Sequence, residues 1–212
     1  IRKGRGRLPV ARHSSSSKLE AVAALKRGEA VIFPTETVYG LGVSVEAAAS
    51  PEALYDLKER DRGKPVSWLV GGADDLDRYG AHVPDLARRL ARAYWPGPLT
   101  LIVEASDAVP AAFRSAAGSI GLRMPDNDTA LELIEAVGCP LATTSANISG
   151  LQAPGSFDAL DPRLAARVGV VMADDRDGDK SGIASTVVDC TVDPPRIVRA
   201  GAVTEAHIRA LA

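Results

Sequence analysis

Residues 30–42 read Ala-Val-Ile-Phe-Pro-Thr-Glu-Thr-Val-Tyr-Gly-Leu-Gly. Ala30 to Phe33 form a short apolar run rich in strand-forming residues, which predicts a buried β-strand. Pro34 breaks it, because proline has no N–H to give to a sheet ladder. The stretch that follows carries hydroxyls and two glycines. Open α/β sheets bind ligands beyond the carboxyl ends of their strands. The stretch is therefore either one wall of a site or an ordinary strand-to-helix turn.

On the N-terminal side, Leu19, Val22, Ala23 and Leu25 suit a helix from Lys18 to Arg27, stopped by Gly28. Helical patterns follow over 51–60, 74–79, 84–94 and 126–137. Ser50 is the cap candidate of the first, with Pro51 at its first helical position; Asp126 or Asp128 caps the fourth, which ends at Gly138. Strand patterns lie over 66–70, 99–103, 119–124, 140–144, 168–172, 184–190 and 196–199. Interleaved helices and strands predict an α/β fold with a mixed sheet. No linker-like shift in composition and no repeat occurs after residue 18. The expected organisation is a basic arm over 1–17 followed by one domain over 18–212.

The chain has 212 residues, 46% of them hydrophobic and 25% charged, which argues for a globular core and against disorder. It starts at Ile1 rather than Met, so a trimmed chain is expected. No apolar run approaches the roughly 18 residues of a membrane span. The net charge is −2. Residues 1–18 hold six basic side chains and no acid, leaving 19 basic against 27 acidic residues, a balance of −8, in 19–212. An acidic body is a poor general nucleic-acid binder, so an anionic ligand needs a local basic cluster. Cys139 and Cys190 form no CxxC pair and have no nearby histidine; buried free thiols in a reducing cytoplasm are expected, and no metal site.

Several chemistries are excluded. There is no GxxxxGK[ST] loop, no GxSxG elbow and no HExxH helix, and Gly40-Leu41-Gly42 lacks the third glycine of a dinucleotide fingerprint. The acidic run 174–179 fails as a calcium loop, since aligning Gly178 puts Ala173 and Ala184 at the end ligand positions. Three further segments keep a functional reading beside a plainer one. Lys58, Arg60, Arg62 and Lys64 place four cations in seven residues. Extended, they could converge on a polyphosphate; otherwise they form a solvated turn paired with Glu59 and Asp61. Thr143 to Gly150 bring hydroxyl and amide groups to the end of an apolar strand, suited to sugar, phosphate or amino-acid ligands, or simply to a turn. Arg123 and Arg199 stand among apolar neighbours, as structural ion pairs or as anion clamps.

Seven short motifs, taken in order, make the chain resemble the YrdC/TsaC family of threonylcarbamoyl-AMP synthases. They are PTETVYGLG (34–42), Lys58-x-Arg60 with Lys64-Pro65, WPGPLT (95–100), LRMP (122–125), TSANISG (144–150), STV (185–187) and IVRAG (197–201). The resemblance implies a single YrdC-like α/β domain in the short form, with a twisted, mixed open sheet and a concave basic ligand-binding face. It implies a nucleotidyltransferase that joins L-threonine, bicarbonate or CO2, and ATP into threonylcarbamoyl-AMP and pyrophosphate, for t6A37 modification of tRNA. Lys58, Arg60, Ser145 and Asn147 carry the family's signature. Arg62, Lys64, Ser119 and Arg199 would join them around ATP, with Mg2+. Thr35, Arg123, Thr143 and Ser185 would hold threonine, Arg123 on its carboxylate. No acid–base residue is implied, and the cytoplasm is the expected location. The implied partners are t6A-transfer proteins, with tRNA or double-stranded RNA as a possible contact. Glu59, Asp61, Trp68 and Ala200 depart from the family's commoner pattern. A YciO-type paralog that binds double-stranded RNA is the alternative, and a hydrogenase-maturation carbamoyl module is a weaker one.

Overall fold

Val31–Phe33 forms the buried strand that its composition predicts, β1. The turn after it corrects the strand-to-helix expectation. Past Pro34 the chain reverses into a second strand, β2 (Gly40–Ser44), antiparallel to β1, with Phe33 opposite Gly40 and Val31 opposite Gly42. The glycines that look like turn residues are strand residues under a ring. A Cβ on Gly42 would lie 2.9 Å from Cε1 of Phe33 and 3.0 Å from Oγ1 of Thr143. Glycine inside a strand marks such a close approach.

The structure, a computed structural model, describes residues 15–173 and 177–211. Of the arm expected over 1–17, residues 1–14 lie outside the described residues; from Ser15 the backbone is already helical, in α1 (Ser15–Lys26). The remaining strands are β3 (Ser67–Leu69), β4 (Gly80–Ala81), β5 (Leu99–Ala105), β6 (Ser119–Arg123), β7 (Leu141–Ser145), β8 (Val170–Val171), β9 (Thr186–Asp189) and β10 (Arg196–Arg199). They form one mixed sheet in the order β10-β9-β5-β6-β3-β7-β2-β1-β8, with β4 beside β5. The β1/β8, β3/β6 and β5/β9 pairs are parallel and the others antiparallel. The helices after α1 are α2 (Glu52–Lys58), α3 (Asp75–Tyr79), α4 (Asp85–Tyr94), α5 (Asp128–Val137), α6 (Pro162–Ala165) and α7 (Glu205–Arg209).

Strand alternation divides the sheet into two faces. Leu99, Leu101 and Val103 of β5, Ile120 and Leu122 of β6, Trp68 of β3 and Ala142 of β7 enter the core. Full burial of one such leucine or isoleucine is worth about 1.5–3 kcal/mol. Their neighbours Thr100, Ile102, Ser119, Gly121, Arg123, Ser67, Leu69, Thr143 and Ser145 line a cavity on the opposite face. The period of two in the side chains therefore sorts core from site.

The helix ends follow local backbone geometry more than the expected caps. Asn127, with extended φ −147 and ψ 119, caps α5 by accepting from the Ala130 N–H at 3.0 Å; Asp126 and Asp128 do not. Gly138 ends that helix at φ 89, as expected. Pro51 itself stands at the cap of α2, and Ser50 accepts only a 3.4 Å contact from the Glu52 N–H. Besides β2, the elements missed in the sequence, β4, α6 and α7, have two to five residues, too few to display a period.

The C-terminal segment closes over the start of β9. Thr186 Oγ1 donates to the Val203 carbonyl at 2.6 Å and accepts from the Val203 N–H at 2.9 Å. This brings Gly201 flat against the backbone of 184–186. A Cβ there would overlap the Ala184 carbonyl and stand 2.5 Å from the Thr186 nitrogen. Backbone atoms cannot rotate away as a side chain can. Gly201→Ala is expected to destabilise by about 3 kcal/mol or more, lowering Tm by roughly 6–12 °C in a thermal melt.

Candidate active site

The cavity on the open face has a volume of about 550 Å³, within the range of small-molecule sites, and its lining draws on seven of the strands. Its floor is kept open by missing side chains. A Cβ on Gly121 would stand 2.9 Å from Ser67 Oγ, and one on Gly40 would stand 3.2 Å from Thr143 Cγ2.

The four cations of 58–64 do not converge. Lys58 ends α2 pointing inward and is fully buried. Its ammonium donates to the carbonyl of Ser145, to the carbonyl of Asn147 at 2.6 Å and to Asn147 Oδ1 at 3.2 Å. All three protons are thereby spent on the loop after β7. Glu59 then adopts a left-handed φ of 52, which turns the chain. Arg60 lines the cavity, with Nη2 donating to the Pro65 carbonyl at 3.2 Å and Nε buried without a partner among the described residues. Arg62 faces outward, paired with Glu52 at 2.6 Å and Asp56 at 2.8 Å. Lys64 is exposed and outside the lining, as are Glu59 and Asp61.

The hydroxyl loop is a closed network. Ser145 Oγ donates to Asn147 Oδ1 at 2.5 Å, and Asn147 Nδ2 donates to the carbonyls of Ile148 (3.0 Å) and Leu151 (2.7 Å). Across the cavity, Arg123 is buried, donating from Nε to the Gly97 carbonyl at 3.1 Å and from Nη2 to Glu36 and to Thr37 Oγ1. Arg199 donates from Nε and Nη2 to the Ser185 carbonyl at 3.0 and 2.8 Å, and from Nη2 to Ser185 Oγ at 2.9 Å. Burial, then the charges of Arg123 and Arg60, hold the Arg199 guanidinium below its ordinary value. Thr35 Oγ1 is turned inward, donating to the Val38 carbonyl at 2.6 Å. Thr143 donates to the Leu141 carbonyl at 2.9 Å, which leaves its lone pairs to the cavity. Ser115 Oγ accepts the N–H groups of Ala117 (3.2 Å) and Ser119 (3.1 Å). Its own proton then goes to Ser119 Oγ at 2.7 Å, so Ser119 keeps a proton for a ligand acceptor.

The Sua5/YciO/YrdC family model, described as "Telomere recombination", matches residues 23–201. The chain belongs to the Sua5/YciO/YrdC family. A Mycobacterium leprae protein named putative threonylcarbamoyl-AMP synthase is 42% identical over 188 residues, which cover 89% of this chain and 84% of that protein. A structure of Pyrococcus abyssi Sua5 complexed with L-threonine superposes with a TM-score of 0.82 at 30% identity, covering 95% of this chain and 59% of that one. The structure of Escherichia coli YciO matches with a TM-score of 0.77 at 26% identity, covering 91% and 94%.

Against this Sua5/YciO/YrdC background, the sequence pointed to Arg60, Arg123, Arg199, Ser119, Thr143, Ser145, Asn147, Thr35 and Ser185, and the structure brings all nine to one cavity lining. Arg62 and Lys64 stay outside it, and Lys58 lies beneath it. The residues missed are Thr100, Ser115, Ser67 and Thr37, all in the lining, and Glu36 behind Arg123. Alternation along β3 and β5 could have exposed Ser67 and Thr100, and Glu36 and Thr37 lie within the 34–42 motif without being singled out there; nothing local marks Ser115.

Burial, then the nearby charge of Arg60, push the Lys58 ammonium down to about 8. A neutral amine has two protons for three acceptors, so the 145–147 loop loosens when Lys58 deprotonates. Affinity for a non-hydrolysable ATP analogue, measured by calorimetry, is expected to weaken as pH rises from 8 to 9. Stability responds with the opposite sign. Between about 8 and 10.5 the unfolded chain binds more protons at this lysine, so its contribution to stability rises with pH. Above 9, Cys190, pushed up to about 12 by burial and then by Asp189, works the other way. Weaker nucleotide binding with no fall in Tm between pH 8 and 9 is the expected pair of results.

Proposed function

We propose that the cavity is the active site of an L-threonylcarbamoyladenylate synthase, which makes threonylcarbamoyl-AMP and pyrophosphate from L-threonine, CO2 or bicarbonate, and ATP. The observation that carries this reading is the composition of the lining among the described residues: three guanidiniums, Arg60, Arg123 and Arg199, among neutral hydroxyls, with no histidine or cysteine. A wall of that kind suits a reaction between two anions that needs alignment and charge neutralisation rather than a strong base. The synthase names of relatives such as the Mycobacterium leprae protein support it.

The amine of threonine adds CO2 and releases a proton, giving a carbamate. A carbamate oxygen then attacks the α-phosphorus of ATP, and the bond to the β-phosphate oxygen breaks to release pyrophosphate. Arg60 and Arg199 are proposed to neutralise the phosphates, Arg60 through its unpartnered Nε. Ser119 would donate its free proton to the nucleotide. Ser145 and Asn147 would orient the α-phosphate or ribose, their loop shaped by Lys58. Thr143 would accept from threonine and Arg123 would hold its carboxylate, with Thr35 and Ser185 shaping that end. Mg2+ would enter as the counter-ion of ATP, because no group of three His, Cys, Asp or Glu side chains among the described residues could hold it. The product would pass to t6A-transfer proteins acting on tRNA position 37. A cytoplasmic location goes with that role; among the described residues no helix is long and apolar enough to cross a membrane. The RNA-binding alternative has less behind it, since Arg62 is spent on Glu52 and Asp56.

Pyrophosphate release in the presence of ATP and bicarbonate tests the reading. Threonine is expected to support it best. Serine should lose about 1–3 kcal/mol for one methyl group, and valine more, because the polar groups that face the hydroxyl are left unpaired. Equal rates with valine and serine would count against the polar pocket. Arg60→Ala should cost about 2–5 kcal/mol, a fall of roughly thirtyfold or more, while Arg62→Ala stays within twofold.

A further inference from the structure

Glu36 has no role in this mechanism and does not line the cavity, yet among the described residues it makes the only ion pair with any of the three cavity arginines. Its Oε1 accepts from Arg123 Nη2 at 2.5 Å, while Oε2 is buried without a partner among the described residues. Its backbone is pinned from the other side, where the Ser181 N–H donates to the Glu36 carbonyl and the Gly182 N–H to the Thr37 carbonyl, both at 3.0 Å. A half-paired buried carboxylate is costly and is rarely kept without a use.

The donors of Arg123 show what that use is. Nε is spent on the Gly97 carbonyl, and Nη2 on Glu36 and on Thr37 Oγ1 at 3.1 Å. The Nε/Nη2 edge, which would otherwise grip a carboxylate side-on, is consumed inside the protein. Nη1 has no partner among the described residues and is the donor left for a ligand. Glu36 also offsets one of three positive charges that crowd this wall.

We propose that Glu36 is a positioning residue, which turns Arg123 so that Nη1 alone meets the carboxylate of the amino-acid substrate. It acts through Nη2 and never touches the substrate. The proposal rests on the amino-acid reading of the cavity given above.

Steady-state pyrophosphate release on Glu36→Ala, Glu36→Gln and Arg123→Ala, with the double variant Glu36→Ala/Arg123→Ala, tests it. Glu36→Ala is expected to raise the threonine KM at least tenfold, with the ATP KM within twofold and kcat within threefold. Glu36→Gln keeps an oxygen for Nη2 and should recover most of that loss. In the Arg123→Ala background Glu36→Ala should add less than twofold, because both act through one guanidinium. The proposal is overturned if the threonine KM of Glu36→Ala stays within twofold of wild type. It is equally overturned if the ATP KM rises alongside, or if the two single effects multiply in the double variant. Should Glu36→Ala fail to fold, Glu36→Asp replaces it, withdrawing the charge by one methylene with the same expected split. Calorimetric binding of L-threonine separates this from the function itself. With a wild type that binds threonine but releases no pyrophosphate, a tenfold weaker Kd in Glu36→Ala still supports the positioning role, and an unchanged Kd, or no threonine binding by wild type, ends it.

Discussion

The ammonium of Lys58 is buried with no carboxylate partner among the described residues and is caged instead by the carbonyl groups of Ser145 and Asn147 and the side-chain oxygen of Asn147. The contact is reciprocated, since the Ser149 N–H donates to the Lys58 carbonyl at 2.8 Å. It ties the end of α2 to the loop after β7. A buried cation is tolerable only when hydrogen-bonded acceptors replace its water. Because those acceptors are neutral, the charge of Lys58 is not cancelled, and it adds to the positive potential under the cavity. The shape of the loop that carries Ser145 and Asn147 depends on this post, and so does the place where Arg60 emerges.

The sheet supplies the rigid frame. Alternate residues of β3, β5, β6 and β7 point to the core and to the cavity, so packing on one face fixes the polar groups on the other. Sites built on strands hold their geometry better than sites built on loops alone. The glycines of β2 and β6 complete the arrangement by leaving room where a side chain would collide with Phe33 or Ser67. The segment 177–185 is fastened over one end: Asp177 accepts from Tyr39 Oη at 2.6 Å and from the Phe157 N–H at 2.7 Å, and Lys180 sits over the Tyr39 ring. That segment delivers Ser185, which holds both Arg199 and Thr100.

Among the described residues, Arg60, Arg123 and Arg199 share the cavity with one acid in contact, Glu36. The surplus of positive charge is what an anionic pair of substrates would offset, and it is local: the body of the chain over 19–212 is acidic. Glu59 and Asp61, which stand in the motif that carries the cations, do not dilute the surplus, because the left-handed turn at Glu59 leaves both exposed and away from the lining.

Much of this protein was legible in its sequence. The apolar runs of β1, β5, β6 and β7, the helices of α4 and α5, and Gly138 as the end of α5 follow from periodicity and backbone preference, which are local properties. The seven motifs also located most of the cavity wall. The strand β2 was hidden, since Gly40 and Gly42 read as a turn until Phe33 is laid across them. The cations of 58–64 were indistinguishable by type and spacing. Only the folded chain separates them, because the acceptors that turn Lys58 inward lie 87 and 89 positions away, while Arg62 finds Glu52 and Asp56 on the outside. Sequence determined which chemical groups were available and roughly on which element. Tertiary structure decided which donors were already spent, because a hydrogen bond is allotted by distance and direction between residues that no local pattern connects.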